Sequence, residues 1–172
     1  GPMTTLESAL SIFPFGRIRR HHGIEHATLQ VLAERYPGRS LAGYSDAEGF
    51  WVVGEVPTED LAAAVGQAIA RLQAGEKSLA IHPHCGTNFV ASGIVAGLLA
   101  WLAMLPSRGR KRSERLPLVV ALVTMGTIFS QPLGPWLQAR VTTSPDVGTL
   151  HAHQITRYVN SNLPLHRVLL KS

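Results

Sequence analysis

A single cysteine, Cys85, in 172 residues excludes an internal disulfide framework and leaves one thiol for metal binding, catalysis or packing. Charge is scarce too: 16% of residues are charged and 6% aromatic, against 45% hydrophobic, which excludes a disordered polyelectrolyte. With a mean hydropathy of +0.12, part of the chain is expected to lie in lipid. Acidic residues number 11 against 16 lysines and arginines, a formal charge of +5. The cations sit beside apolar segments and few aromatics interleave them, so anionic lipid, not nucleic acid, is the expected partner. Repeats and low-complexity tracts are missing, and the length excludes two enzymatic domains. No basic stretch precedes the apolar residues 6–15, which carry Pro14, so they are read as an interfacial anchor with Leu6, Leu10, Ile12, Phe13 and Phe15 facing lipid, not as a signal peptide. Gly1-Pro2 ahead of Met3 is set aside as a cloning remnant.

What is present begins with helical periodicity over residues 21–35, where Ile24, Ala27, Val31 and Leu32 recur at turn spacing and Pro37-Gly38 ends the run. Residues 41–45 and 50–56 are richer in strand formers and flank a turn at 46–49, which predicts a hairpin. Thr58 is the expected N-cap of a second helix with Leu61, Val65, Ile69 and Leu72 on one face, ended by Gly75. A third strand is expected at 78–82. Residues 89–105 and 116–137 then hold no charge, each close to the length needed to cross about 30 Å of hydrocarbon. Between them Arg108, Arg110, Lys111, Arg112 and Arg115 form a basic loop that suits a membrane hairpin. The positive-inside rule puts that loop in the cytosol, whereas a long leaderless N-terminal region would itself stay there, so the orientation is left open.

The strongest chemical signal is His22-Gly-Ile-Glu-His26, which fits the inverted zinc-peptidase pattern H-x-x-E-H. Positions i and i+4 share a helix face, so both imidazoles can address one ion, and Glu25 beside them can act as general base on water activated by the metal. With 8 histidines and 8 glutamates in the chain, chance supplies only about 0.02 such matches. Gly23 inside the helix costs about 1 kcal/mol relative to alanine but permits close backbone approach. A second cluster, His82-Pro-His-Cys-Gly-Thr87, offers two imidazoles, a thiol and a hydroxyl on a stiffened turn. A weaker pair is His151-Ala-His153.

Together with Trp136-Leu-Gln-Ala-Arg-Val-Thr-Thr-Ser-Pro-Asp146, these stretches resemble the YqhQ-like family of membrane proteins, described as predicted metal-dependent enzymes. The corresponding family stretches read HGAEHK, HPRCGTSF and LWLQRLTTREPDD followed by EVA. The resemblance covers most of the chain from His22 onward and lacks the family's glycine-rich N-terminal portion. His22, Glu25, His26, His82, Cys85, Gly86, Thr87, Gln138, Thr142, Thr143, Pro145 and Asp146 match. His84 stands where the family has arginine, which argues against it as an essential ligand. His151 stands at the glutamate of EVA, and since both residue types bind metals, the resemblance implies His151 as third ligand.

The expected fold class is α+β: a small helix/hairpin/helix/strand metal-binding region (3–87), a two-helix transmembrane hairpin (88–139) with its basic loop at 106–115, and a short C-terminal helical segment (140–172) that returns to complete the site. The expected function is a membrane-bound zinc-dependent hydrolase, above all a metallopeptidase, with His22, His26 and His151 as ligands and Glu25 as base. Its expected substrate is a membrane-proximal peptide or a lipid-linked amide or ester. His82, Cys85 and Thr87 are supporting or alternative ligands. A non-catalytic membrane protein with a closed His/Cys metal site is the alternative. A cysteine enzyme pairing Cys85 with His82 is disfavoured, because it leaves Glu25 and the His22/His26 spacing unexplained. A homo-oligomer is compatible with all of these.

Overall fold

The structure, a computed structural model, describes residues 9–12, 14–105, 112–160 and 163–172. Two compact units are formed, one by Gly1–His82 with Gln138–Ser172, the other by Pro83–Leu137. Of the expected interfacial anchor, Leu6 and Phe13 lie outside the described residues, as does most of the basic loop, 106–111.

The first unit is α+β. Helix α1 (Phe15–Arg35), the hairpin β1 (Ala42–Ser45) and β2 (Gly49–Val53), and helix α2 (Thr58–Gln73) follow in order, and the C-terminal strands β3 (His151–Asn160) and β4 (Leu163–Lys171) complete it. All strand pairs are antiparallel in the order β1-β2-β4-β3. Alternation along the strands turns Phe50, Val52, Val168 and Leu170 inward, where they meet Ile24, Val31 and Leu32 of α1 and Leu61, Val65, Ile69 and Leu72 of α2 in one core. The apolar stripe expected on α2 is thus its buried face.

Four local expectations are corrected. Helix α1 starts at Phe15, not near 21, because Arg17, Arg19 and Arg20 are good helix formers that carry no apolar periodicity to reveal them. Thr58 is the first helical residue rather than the cap: Pro57 occupies that position, and the Thr58 hydroxyl pairs with His166 Nε2 at 3.1 Å. The strand expected at 78–82 is a 3₁₀ turn, Lys77–Ala80. Its neighbouring carbonyls are consumed by α1, since Gln30 Nε2 donates to Leu79 and Ile81 (2.9 Å each) and His26 to Ala80, leaving no ladder to build. Finally, the C-terminal helical segment is a β-hairpin, and β4 inserts between β2 and β3 with Phe50 opposite Val168. Ile155, Thr156 and Tyr158 are strand formers, and pairing with the distant β2 fixes β4 as a central strand.

The second unit contains helix α3 (Gly86–Ala103), helix α4 (Leu116–Phe129) and the short helix α5 (Leu133–Leu137). Helices α3 and α4 pack closely at Gly126, where a Cβ would overlap Leu99, and Ser130 Oγ donates to Ser92 Oγ at 2.9 Å. Arg115 donates to the carbonyls of Ala103 and Leu105 and so satisfies the C-terminal end of α3. The outward surfaces are apolar, with Phe89 74% and Phe129 70% exposed. By length and composition α3 can cross a membrane, with a mean hydropathy of 1.5 over 18 residues. The second uncharged segment is not one continuous helix to 137. It breaks after Phe129, and the pieces Ser113–Phe129 and Leu133–Thr142 meet at a bend of 52°, where Pro132 and Pro135 supply no backbone N–H.

Candidate metal centre

Helix α1 carries His22, Glu25 and His26 on adjoining faces, as 3.6 residues per turn requires. His26 and Glu25 are buried and His22 is half-buried. The two imidazoles stand edge to face with centroids 4.3 Å apart, and their ligand-capable nitrogens lie within 4.8 Å of one another. Each ring is held from behind by a backbone carbonyl: His22 Nδ1 donates to Thr142 at 3.0 Å, and His26 Nδ1 donates to Ala80 at 2.8 Å. A carbonyl can only accept, so each ring carries a proton on Nδ1 and turns Nε2 away from that carbonyl. Metal-binding histidines are oriented in this way.

Glu25 lies between α1 and the edge strand β1. Gly43 makes room for it, since a Cβ at that position would overlap the carboxylate, and Ser45 Oγ donates to Oε2. Burial pushes the Glu25 carboxyl above its ordinary range, opposed in part by the Ser45 hydrogen bond and by the neighbouring His22 imidazole. A carboxylate raised in this way is a better proton acceptor near neutral pH than an exposed one.

A π-helical turn, Gln138–Thr142, supports these groups from the other end of the chain. Gln138 is fully buried, and its carboxamide takes both backbone groups of His82: Oε1 accepts from the N–H at 2.8 Å and Nε2 donates to the carbonyl at 3.1 Å. Thr143 donates from N and Oγ1 to the Gln138 carbonyl. Arg19 binds the carbonyls of Arg140 and Thr143, and Ser144 N–H returns to the Arg19 carbonyl at 2.9 Å. Gly23 is what admits this segment, because a Cβ there would overlap the Ser144 carbonyl oxygen. His82 is thereby held with its ring 5.6 Å from that of His26.

Cys85 belongs to the second unit, where it is buried at the N-cap of α3. Its sulfur accepts from Thr87 N–H at 3.5 Å and pairs with Thr87 Oγ1 at 3.4 Å. His84 is exposed. His151 is not brought to the α1 cluster. It is exposed at the start of β3, paired with Lys171, its Nδ1 donating to Thr149 at 3.3 Å, and two strands separate β3 from the β1 strand against which Glu25 packs. Its expected position assumed a returning helical segment, which the hairpin replaces.

Sequence reasoning missed Ser45, Gly43 and the supporting roles of Gln138 and Thr142. Only Gly43 left a signal, being an isolated glycine in a strand pattern, which marks close approach. It also missed His21, which is fully buried and donates from Nδ1 to the Asp46 carbonyl at 2.8 Å. Burial holds the His21 imidazole below its usual pKa. Asp46 in turn receives both arms of Arg167, at 2.7 and 2.8 Å, so α1 is tied to the hairpin turn beside the candidate centre.

Residues 17–155 match the family described as a domain of unknown function, DUF6391, and the chain belongs to that family. It is similar to an uncharacterized protein of Picosynechococcus sp. (strain ATCC 27264 / PCC 7002 / PR-6), 37% identical over 161 residues that span 88% of this chain and 71% of the relative. No solved structure matches the chain.

Proposed function

We propose that this member of the DUF6391 family is a membrane-bound, zinc-dependent hydrolase, a metallopeptidase above all, acting on peptide or lipid-linked bonds near the membrane surface. One observation carries the reading: two imidazoles one helical turn apart, each tied at Nδ1 to a backbone carbonyl, stand with ring centroids 4.3 Å apart beside a buried glutamate. His22 and His26 are the assigned zinc ligands. His82, held with its ring 5.6 Å from that of His26 in the same unit, is the assigned source of a further ligand. His151 has no part in the assignment. When bound, the metal supplies Lewis acidity that lowers the pKa of water to about 7.

The remaining work falls to the chain's own residues. Glu25, raised by burial, takes the proton of the attacking water and delivers it to the leaving group. Ser45 holds the carboxylate in place, and Gln138 with Thr142 fixes the segments that carry His82 and His22. The same reading makes α3 and the bent α4–α5 segment a transmembrane hairpin, supported by their apolar outward surfaces and by the cations between them. Kinship to the YqhQ-like membrane proteins belongs to this proposal too and rests on the three motifs they share.

Elemental analysis tests the centre. Wild-type protein should copurify with about one zinc per chain, and His22→Ala and His26→Ala should each lose it; undiminished metal in both variants would overturn the site. A second reading, a closed and non-catalytic His/Cys site, is favoured by the deep burial of Glu25 and its bond from Ser45. X-ray absorption of the zinc-loaded protein separates the two. Four protein ligands mean a structural site, and three with an oxygen from solvent mean a catalytic one.

A further inference from the structure

The first two turns of α1 carry Arg17, Arg19 and Arg20 and no acidic residue. Cations at the amino end of a helix oppose its dipole, so the cluster is costly to a chain without an external partner. Arg19 is used within the fold, on the carbonyls of Arg140 and Thr143. Arg17 and Arg20 are placed differently. Among the described residues neither enters an ion pair, and Arg20 Nε donates to the Gly16 carbonyl of its own helix at 3.3 Å. Three residues apart, they share one side of the helix, roughly opposite Phe15, so it is the end of the helix and not one of its faces that presents both kinds of side chain. Just ahead of them Ile12 is 63% and Phe15 60% exposed.

Cations beside exposed apolar side chains at the start of a helix match a membrane surface on both counts, because phosphates pair with guanidinium groups while the apolar residues enter the acyl boundary. We propose that this end of α1 docks on an anionic lipid surface, with Arg17 and Arg20 on headgroup phosphates and Ile12 and Phe15 below them. The inference deepens the membrane reading above and rests on it for the nature of the partner, but it concerns an element that spans nothing. Its consequence is functional. His22 and His26 follow Arg20 by two and six residues on the same helix, about 3 and 9 Å along its axis. Docking therefore holds the candidate centre close to the lipid surface, where only membrane-proximal or lipid-linked bonds are within reach.

The test uses the full chain, with Ile12→Cys labelled by an environment-sensitive dye, reconstituted in vesicles of phosphatidylcholine alone or with about one third phosphatidylglycerol. Buried Cys85 is controlled by treating wild-type protein in the same way. Dye quenching by lipids carrying a quencher near the headgroup should appear in the anionic vesicles and fade in phosphatidylcholine or in high salt. Each cation near such a surface contributes about fivefold to partitioning, so Arg17→Gln with Arg20→Gln should weaken docking about thirtyfold. A dye that stays in water in both lipids, or quenching that the double variant leaves intact, would overturn the proposal. So would emission that responds to added RNA or acidic peptide and not to lipid. Insertion is read separately, from resistance to carbonate extraction. Inserted protein with an undocked dye refutes docking alone, whereas a docked dye on extractable protein refutes the spanning helices and leaves docking standing.

Discussion

The Thr142 carbonyl accepts the Nδ1 proton of His22 across 120 residues of chain. That bond joins the first and last thirds of the sequence at one imidazole. Next to it, Gly23 lets the Ser144 carbonyl lie directly on the helix. The orientation of the ring therefore depends on a glycine that contributes no functional group.

Gly23→Ala should expose that dependence. Alanine favours a helix by about 1 kcal/mol over glycine, but its Cβ would overlap the Ser144 backbone oxygen, which cannot move like a side chain. Overpacking of this kind costs about 1–3 kcal/mol. The variant should melt at lower temperature and hold less zinc. Gly66, on α2 with nothing near its missing Cβ, is the control, and Gly66→Ala should raise the melting temperature. Equal gains in both variants would mean that the Ser144 contact is not made.

Acid should destabilise the fold partly through His166. This residue is fully buried, with Thr58 at Nε2 and no partner at Nδ1 among the described residues. Burial, aided by the charge of Arg157, holds its pKa below the usual 6.5. Unfolded chain thus takes up a proton that folded chain resists, so stability is full above about pH 6.5 and falls as pH drops toward the folded pKa. Melting temperatures at pH 7.5 and 5.5 should differ less in His166→Gln than in wild type. His21, likewise held down by burial, keeps part of the slope. An unchanged slope in the variant would remove His166 from this account.

The elements that were legible are those whose evidence is local. Leu61, Val65, Ile69 and Leu72 mark α2 within four turns, and the i, i+3, i+4 spacing of His22, Glu25 and His26 is itself a helical fact. What was hidden depends on partners far along the chain. Residues 163–171 become a central strand only because β2 presents Phe50 and Val52 more than 100 residues earlier. Lys77–Ala80 fails to form a strand because Gln30 and His26 take the carbonyls around it. His151 looked like a ligand by analogy of residue type, but strand pairing carries it to the outer edge of the sheet. Ser45, which holds the Glu25 carboxylate, has no marker in the sequence at all.

Membrane insertion of the second unit predicts opposite behaviour at the same kind of position. Ile94, midway along α3, is 58% exposed. In a water-exposed helix, Ile94→Arg would change stability by about 0.5 kcal/mol or less. At the centre of a span, arginine costs about 2.5–3.5 kcal/mol. The variant should therefore lose membrane-fraction yield, and the wild type should need detergent to remain monodisperse. Normal yield of Ile94→Arg together with detergent-free monodispersity would refute the hairpin.

Glu25→Gln separates catalysis from metal storage more cleanly than any ligand change. The substitution keeps the volume fitted against Gly43 and can still accept the Ser45 hydrogen bond, so fold and zinc content should persist. It removes the basic carboxylate, and proton transfer by a positioned base contributes roughly 10²- to 10⁴-fold. Membranes containing active or Glu25→Gln protein, compared by mass spectrometry for accumulating peptides and lipid conjugates, supply the substrate for the rate measurement. Turnover on that substrate should fall by about two to four orders of magnitude while metal content stays level. Wild-type turnover in a zinc-loaded variant would end Glu25's role as base. Loss of zinc would make the carboxylate a ligand, which is the outcome the Ser45 hydrogen bond and the packing against β1 argue against, since they hold it toward the strand.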